Sequence, residues 1–245
     1  MTEYLKYKLN ADEKIVYAEM LHGLQRHKEE INISFTNNCD IVKIYQYFMY
    51  DHPEYYNLSP ALSMVQTGNK AALKISYIYD RHTTSLIDAK LKAVVKELKQ
   101  QIDLTNDIVE KEKIIIEYLV RNVNYAIDNI HNQNAASALY FGKAQCSGFA
   151  SAFKYLCDIF GIWCMSVLGE FNDKKTSTRG PHAWNIIKIG NDYYNVDVTM
   201  MQGANTYNKG QLIYFGINCS DLKFMQRYKW DYRVYPKCAK DMEIQ

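Results

Sequence analysis

The sequence predicts a mixed helix-and-sheet protein, and two observations carry that prediction. Apolar residues recur at spacings of three and four in several stretches, the period of a helix that buries one face. Twice, strand-like runs are joined by a two-residue Gly-Asn connection, Gly68-Asn69 and Gly190-Asn191, which reads as an antiparallel hairpin. In chain order, Asn10 followed by Glu13 resembles a capping box, and Ile15, Met20, Leu21 and Leu24 predict a helix over 11–30. The segment INIS, 31–34, is a strand, and a second helix is predicted from Asp40 to Tyr50, stopping at DHPEYY. Ala61–Thr67 and Ala71–Tyr79 form the arms of the first hairpin. Residues 86–103 and 107–124 are helical in period, with Leu86, Leu91, Val94, Val95 and Leu98 as the buried stripe of the first. The polar stretch QQIDLTND near residue 104 is the expected seam between an N-terminal accessory region of helices plus hairpin, 1–104, and a chemical unit, 105–245.

Composition narrows the classes. With 245 residues, 48% hydrophobic and 23% charged, the chain is globular rather than disordered. Its net charge of +2, from 29 basic and 27 acidic residues without a basic stripe, argues against nucleic acid as a main partner. No apolar run reaches the roughly 18 residues a membrane span needs. The start, MTEYLKYKLNADEK, lacks the apolar centre of a signal peptide. The expected compartment is the cytoplasm; the alternative is an exported protein whose signal peptide has been removed. Cys39, Cys146, Cys157, Cys164, Cys219 and Cys238 form no CxxC pair and no dense framework, so free thiols are expected and a zinc site is not.

One cysteine stands apart. From Cys146 onward, Phe149, Phe153, Leu156, Cys157 and Phe160 follow helical spacing, Gly161 offers a left-handed exit, and IWCMSVLG reads as a buried strand. Cys146 then falls at a helix N-terminus, where unpaired N–H groups and the dipole stabilise a thiolate and can hold a developing oxyanion. On position alone two readings stay open, an activated thiol or a small core residue. Cys157 and Cys164 read as core.

The stretch GPHAWNIIKIGNDYYNVDVTM supplies a partner. Trp184–Ile189 and Asp192–Val198 are strand-like, and the two-residue turn sets Ile189 opposite Asp192, Trp184 opposite Asp197 and His182 opposite Thr199. His182 and Asp197 then share a face as diagonal neighbours, about 7–8 Å apart along the backbone. Ala183, Ile187, Ile189, Tyr194, Val196 and Val198 form the opposite, core side, interrupted by Asn185. A surface ion pair is the alternative. The histidines at 22, 27, 52, 82 and 131 have no comparable acidic partner in the sequence pattern and are expected to be solvated or structural.

A cysteine at a helix start, then a histidine, then an acid is an arrangement for nucleophilic acyl transfer. GKAQCSGFASAFKYLCDIFGI and HAWNIIKIGNDYYNVDVT, in the order Cys, His, Asp, resemble the transglutaminase-like superfamily over about residues 136–200. The tail YFGINCSDLKFMQRYKWDYRVYP is similar to that of bacterial members, and YDHPEYYNL to the accessory region of some bacterial relatives. The resemblance implies an α+β, papain-like fold, with the cysteine helix packed on an antiparallel sheet and an α/β accessory region before it. It implies Cys146 as nucleophile, His182 as general base, Asp197 as its orienting partner, and 105–245 as the catalytic domain. One oxyanion donor would be the Cys146 backbone N–H, and Gln145 and Tyr125 are candidates for the second. Trp184 would wall the site or pack on the sheet, and the loop 171–180 would gate the cleft or simply cover the surface. The superfamily hosts cross-linking, peptide hydrolysis, deamidation and glycan removal, all through a thioester. No paired-aspartate calcium loop is evident, so neither a metal nor another cofactor is expected. Hydrolysis of a protein, peptide or peptidoglycan-like amide is the expected reaction, because water needs no second-substrate site; a protein-glutamine transglutaminase or deamidase is the alternative. A peptide- or glycan-binding module without catalysis is the reading from another class, and the intact Cys/His/Asp set argues against it. A structural protein in which the three residues are incidental is a third.

Overall fold

A computed structural model gives the structure of residues 2–127, 133–173, 178–203, 207–208, 211–212 and 217–242. The chain divides into two units, one of Glu3–Thr84 and one of Met1–Thr2 with Ser85–Gln245. In the first, the capping box is present: the Glu13 N–H donates to Asn10 Oδ1 at 2.9 Å, and the Asn10 N–H donates to Glu13 Oε2 at 3.0 Å. It starts helix α1 (Ala11–Gln25), which ends earlier than expected because His27 turns left-handed at φ 54 and the Lys28 N–H donates back to the Gly23 carbonyl at 3.2 Å, before strand β1 (Glu30–Ser34). Helix α2 (Ile41–Asp51) follows, then strands β2 (Ser63–Thr67) and β3 (Lys70–Lys74), both shorter than predicted. Thr67 pairs with Lys70, so Gly68-Asn69 is the two-residue turn, and the antiparallel sheet runs β1-β3-β2. Val16, Tyr17, Met20, Ile31, Ile33, Ile44, Phe48 and Leu73 fill the core between helices and sheet. His52 is structural, one of the two outcomes expected for it, but it has an acidic partner that the sequence reading did not assign. It is 3% exposed, and its Nδ1 lies 2.8 Å from Glu54 Oε1, because a short 3-10 turn at Pro53–Tyr55 folds Glu54 back onto it.

The division falls in the first turn of α3 (Arg81–Ile102), while the polar stretch near residue 104 connects α3 to α4 (Ile108–Asn122). The buried stripe of α3 is Ile87, Leu91, Val94, Leu98 and Ile102. Leu86 is exposed and Val95 half-buried: stepping back four residues from Leu91 reaches Ile87, not Leu86. Strand β4 (Asn124–Tyr125), helix α5 (Ala135–Leu139) and strand β5 (Lys143–Ala144) lead into helix α6 (Cys146–Ile159). Strands β6 (Cys164–Asp173), β7 (Thr178–Ile189) and β8 (Asp192–Val196) come next, then α7 (Val198–Gly203), β9 (Tyr207–Asn208), β10 (Gln211–Leu212), α8 (Asp221–Phe224) and β11 (Tyr228–Lys229).

The main sheet is antiparallel in the order β11-β6-β7-β8. Helix α6 packs on β6 and β7 and buries Phe149, Phe153, Leu156 and Cys157. The hairpin register is the predicted one, Ile189 opposite Asp192, and Gly190 takes the left-handed conformation its turn demands at φ 60. Strand β8 stops at Val196 rather than Val198, because Asp197 Oδ1 accepts from the Met200 N–H at 3.1 Å and opens α7. The proposed gate at 171–180 is largely strand, with Phe171 opposite Gly180, while residues 174–177, like His131, lie outside the described residues. Among the described residues no helix is long and apolar enough to cross a membrane, and the six cysteines are free.

Candidate active site

Each member of the site is placed by its own local structure. Strands β4 and β5 pair in parallel and deliver the chain to Gln145, whose extended backbone (φ −87, ψ 179) is the N-cap of α6. The Gln145 side chain makes no capping bond. Cys146 is therefore the first helical residue, where backbone N–H groups lack intrahelical partners. His182 sits on β7 opposite Gly169 of β6, and Asp197 follows β8 directly.

His182 Nε2 lies 2.7 Å from Asp197 Oδ2. The same oxygen accepts the Tyr228 hydroxyl at 2.6 Å, and the carboxylate is fully buried. With Nε2 committed to Asp197, the imidazole's other nitrogen is left for the thiol. Burial pushes the Cys146 thiol up, but hydrogen bonding to His182 and its charge, with the Ala183 backbone and the Ser147 side chain, outweigh it, and the thiol pKa falls below its ordinary value. Burial alone would lower His182; the charge and hydrogen bond of Asp197, then Cys146, raise it to about 10. Burial would raise Asp197, yet His182, Tyr228 and the Met200 N–H hold it below the usual carboxylate range. Each shift favours a thiolate–imidazolium pair braced by a carboxylate.

The surface-pair alternative is overturned. The face that carries His182 is covered, because the C-terminal segment brings Phe224, Tyr228 and Trp230 over it. Trp184, the residue expected to wall the site or pack, packs: it is 1% exposed, its ring stacks 6.2 Å from His182, and its Nε1–H donates to Asn195 Oδ1 at 2.9 Å. Asn185, which interrupts the apolar side, donates from Nδ2 to the Ala150 carbonyl of α6 at 3.0 Å and ties the histidine strand to the cysteine helix. Tyr125 is near enough that the thiol and Asp197, after burial, raise its phenol pKa. Among the described residues no three His, Cys, Asp or Glu side chains are grouped to hold a metal ion.

Sequence reasoning missed Tyr228, Asn195 and Gly169. Tyr228 was one of 21 tyrosines, and nothing local distinguishes it. Gly169 had no turn around it to mark it; its role is close approach, since a Cβ there would meet the Lys229 carbonyl and come within 2.7 Å of the Trp184 ring.

Fold and site together define an α+β scaffold bearing a thiol–imidazole–carboxylate set. Residues 96–198, the segment that holds Cys146, His182 and Asp197, match the family model of the transglutaminase-like superfamily. Among solved structures the chain is similar to a TGase at 14% identity, over 75% of this chain and 53% of that one, with a TM-score of 0.41. It is also similar to a protein from Cytophaga hutchinsonii described as a candidate cysteine protease, at 11% identity over 64% of each chain and a TM-score of 0.37. A third similarity is to menin, whose structure reveals the binding site for the Mixed Lineage Leukemia protein, at 21% identity over 55% of this chain and 29% of that one, with a TM-score of 0.34. The chain covers less than two thirds of each of these structures. No curated protein matches it.

Proposed function

We propose that the chain is a cysteine-dependent acyl-transfer enzyme that cleaves an amide through a thioester and resolves it with water, with Cys146, His182 and Asp197 as its catalytic residues. The observation that carries this reading is the His182–Asp197 contact of 2.7 Å beside a thiol at the first position of α6. The Cys146 thiolate attacks the amide carbonyl, and the carbonyl oxygen becomes an oxyanion facing the start of α6. The Cys146 N–H is one donor to it; the uncommitted Gln145 amide and the protonated Tyr125 phenol are the proposed choices for the second. The tetrahedral intermediate collapses, the C–N bond breaks, and the His182 imidazolium gives its proton to the leaving amine. Neutral His182 then takes a proton from water, whose oxygen attacks the thioester; the acid departs and the thiolate–imidazolium pair is restored. Asp197 keeps the imidazole in place throughout. In this reading 105–245 carries the chemistry and 1–104 is accessory.

The pH dependence of alkylation by iodoacetamide, in the wild type and in Cys146→Ala, tests it. A thiol that reacts fast well below pH 8 and vanishes in the variant is expected. If wild type and variant give the same profile, the proposal is wrong, and a binding module on the same scaffold takes its place. A peptide ester with and without added amine then separates the outcomes: free acid supports hydrolysis, and an amide formed from the amine supports the transferase reading instead.

A further inference from the structure

We propose that Tyr228 is a positioning residue of this site, whose hydroxyl shares Asp197 Oδ2 with the imidazole and so sets how readily His182 releases its proton. The inference rests on the acyl-transfer reading of Cys146, His182 and Asp197. It adds a residue beyond the family-matched segment, which ends at residue 198.

The chemistry makes two conflicting demands on Asp197. It must stabilise the imidazolium that forms with the thiolate, and it must let that proton go to the leaving amine. A fully buried carboxylate with the imidazole as its one strong donor would meet the first demand and fail the second, because burial leaves its charge unscreened by bulk solvent. Here Oδ2 accepts from His182 at 2.7 Å and from Tyr228 at 2.6 Å, while Oδ1 takes the Met200 N–H at 3.1 Å. Each donor to the charged carboxylate draws down the negative charge that the imidazolium feels.

The hydroxyl has its direction fixed in advance. Strand β11 pairs Tyr228 with Phe171 on β6, which puts its side chain on the face that carries His182. The ring stacks on Phe224 at 4.4 Å and meets Trp184 at 5.2 Å and Phe171 at 5.3 Å. Burial, then the Asp197 charge and its hydrogen bond, push the phenol far above its ordinary range, so it can only donate. The titratable and charged groups around the pair are Cys146 on α6, Tyr125 on β4, and, against Tyr228 itself, Arg227 and Cys219. None of these replaces the hydroxyl on Oδ2.

The test follows the His182 ring 13Cε1 resonance through a pH titration of the full chain, the signal being assigned by its loss in His182→Gln. In Tyr228→Phe, which keeps the ring and removes the one donor, the His182 midpoint moves up by about one pH unit. Phe224→Leu loosens the same aromatic cluster without touching the carboxylate, and it leaves the midpoint in place while lowering the melting temperature. Should Tyr228→Phe not fold, 3-fluorotyrosine placed at position 228 keeps the shape, donates more strongly, and moves the midpoint down. A midpoint unmoved in Tyr228→Phe or with 3-fluorotyrosine, or one moved equally by Phe224→Leu, overturns the proposal. Alkylation of the same wild-type sample separates this from failure of the acyl-transfer reading. If no Cys146-dependent thiol reacts below pH 8, that reading falls; if the thiol is present and the His182 midpoint stays put, only Tyr228 loses its role.

Discussion

Cys146 is buried enough that, by itself, it would be a poor thiolate; what lowers its pKa is His182. Replacing His182 by Gln therefore leaves burial opposed only by the weaker hydrogen bonds from Ala183 and Ser147. The midpoint of Cys146 alkylation is expected to rise to the ordinary cysteine range of about 8.5 or beyond, a loss of more than tenfold in reactivity near pH 6 that a rate–pH profile would register. An unmoved midpoint would mean that the helix start alone activates the thiol. At this scale the sequence was most informative. A helical period that began at a cysteine, and a hairpin turn that aligned a histidine with an aspartate, named three residues that the fold brings together. Tyr228 stayed hidden, because its partner is 31 residues away in sequence and no local period links them.

Among elements, the register of the main sheet is what carries the site. His182 and Asp197 share a face only while Ile189 pairs with Asp192, and a one-residue slip would turn the carboxylate away. On the other side of His182, Gly169 gives room where β6 runs between β7 and β11. Gly169→Ala places a methyl group against the Lys229 carbonyl and within 2.7 Å of the Trp184 ring. The expected cost is about 1–3 kcal/mol in urea unfolding, with a loss of the low-pH thiol reactivity as Trp184 and then His182 are displaced. Full stability and reactivity in that variant would show that the strands part freely. Period and turn chemistry predicted the helices and both hairpins. They misjudged ends: β8 stops at Val196 because the Asp197 side chain caps α7, a competition between side chain and ladder that strand propensity does not contain.

Over the whole molecule, buried ionisable groups dictate how stability follows pH. Burial raises Glu112 from 4.5 to about 8, against the opposing effects of the Asn218 amide, which donates to it at 2.9 Å, and Lys113. An acid raised on folding binds more protons folded than unfolded, so its contribution is greatest below about 4.5 and is lost as pH rises through about 8. His182, raised from 6.5 to about 10, contributes fully below 6.5 and loses its contribution as pH climbs through 10. Asp197, held low, works in the opposite sense: its contribution is present above the ordinary carboxylate range and disappears in acid. Glu112→Gln keeps the shape and an acceptor for Asn218. Its urea midpoint is expected to fall less than that of the wild type between pH 5 and 8, and parallel curves would place the alkaline loss elsewhere. The apolar period of α4 puts Glu112 on one stripe with Ile115, Ile116 and Leu119, but nothing local supplies its partner; the Asn218 amide that donates to it returns from 106 residues away.

Short-range physics determined, from the sequence alone, the helix start at Cys146, the turn at Gly190-Asn191 and the alternation that aligns His182 with Asp197. Each depends on residues close together in the chain, where capping, turn geometry and side-chain period act directly. Only the tertiary structure decided that the histidine face is covered, that Trp184 packs instead of walling a cleft, that Asn185 fastens β7 to α6, and that Tyr228 shares the carboxylate with His182. Those facts depend on which distant segment folds over a face, and burial, which sets the strength of every charge in the site, follows from that choice.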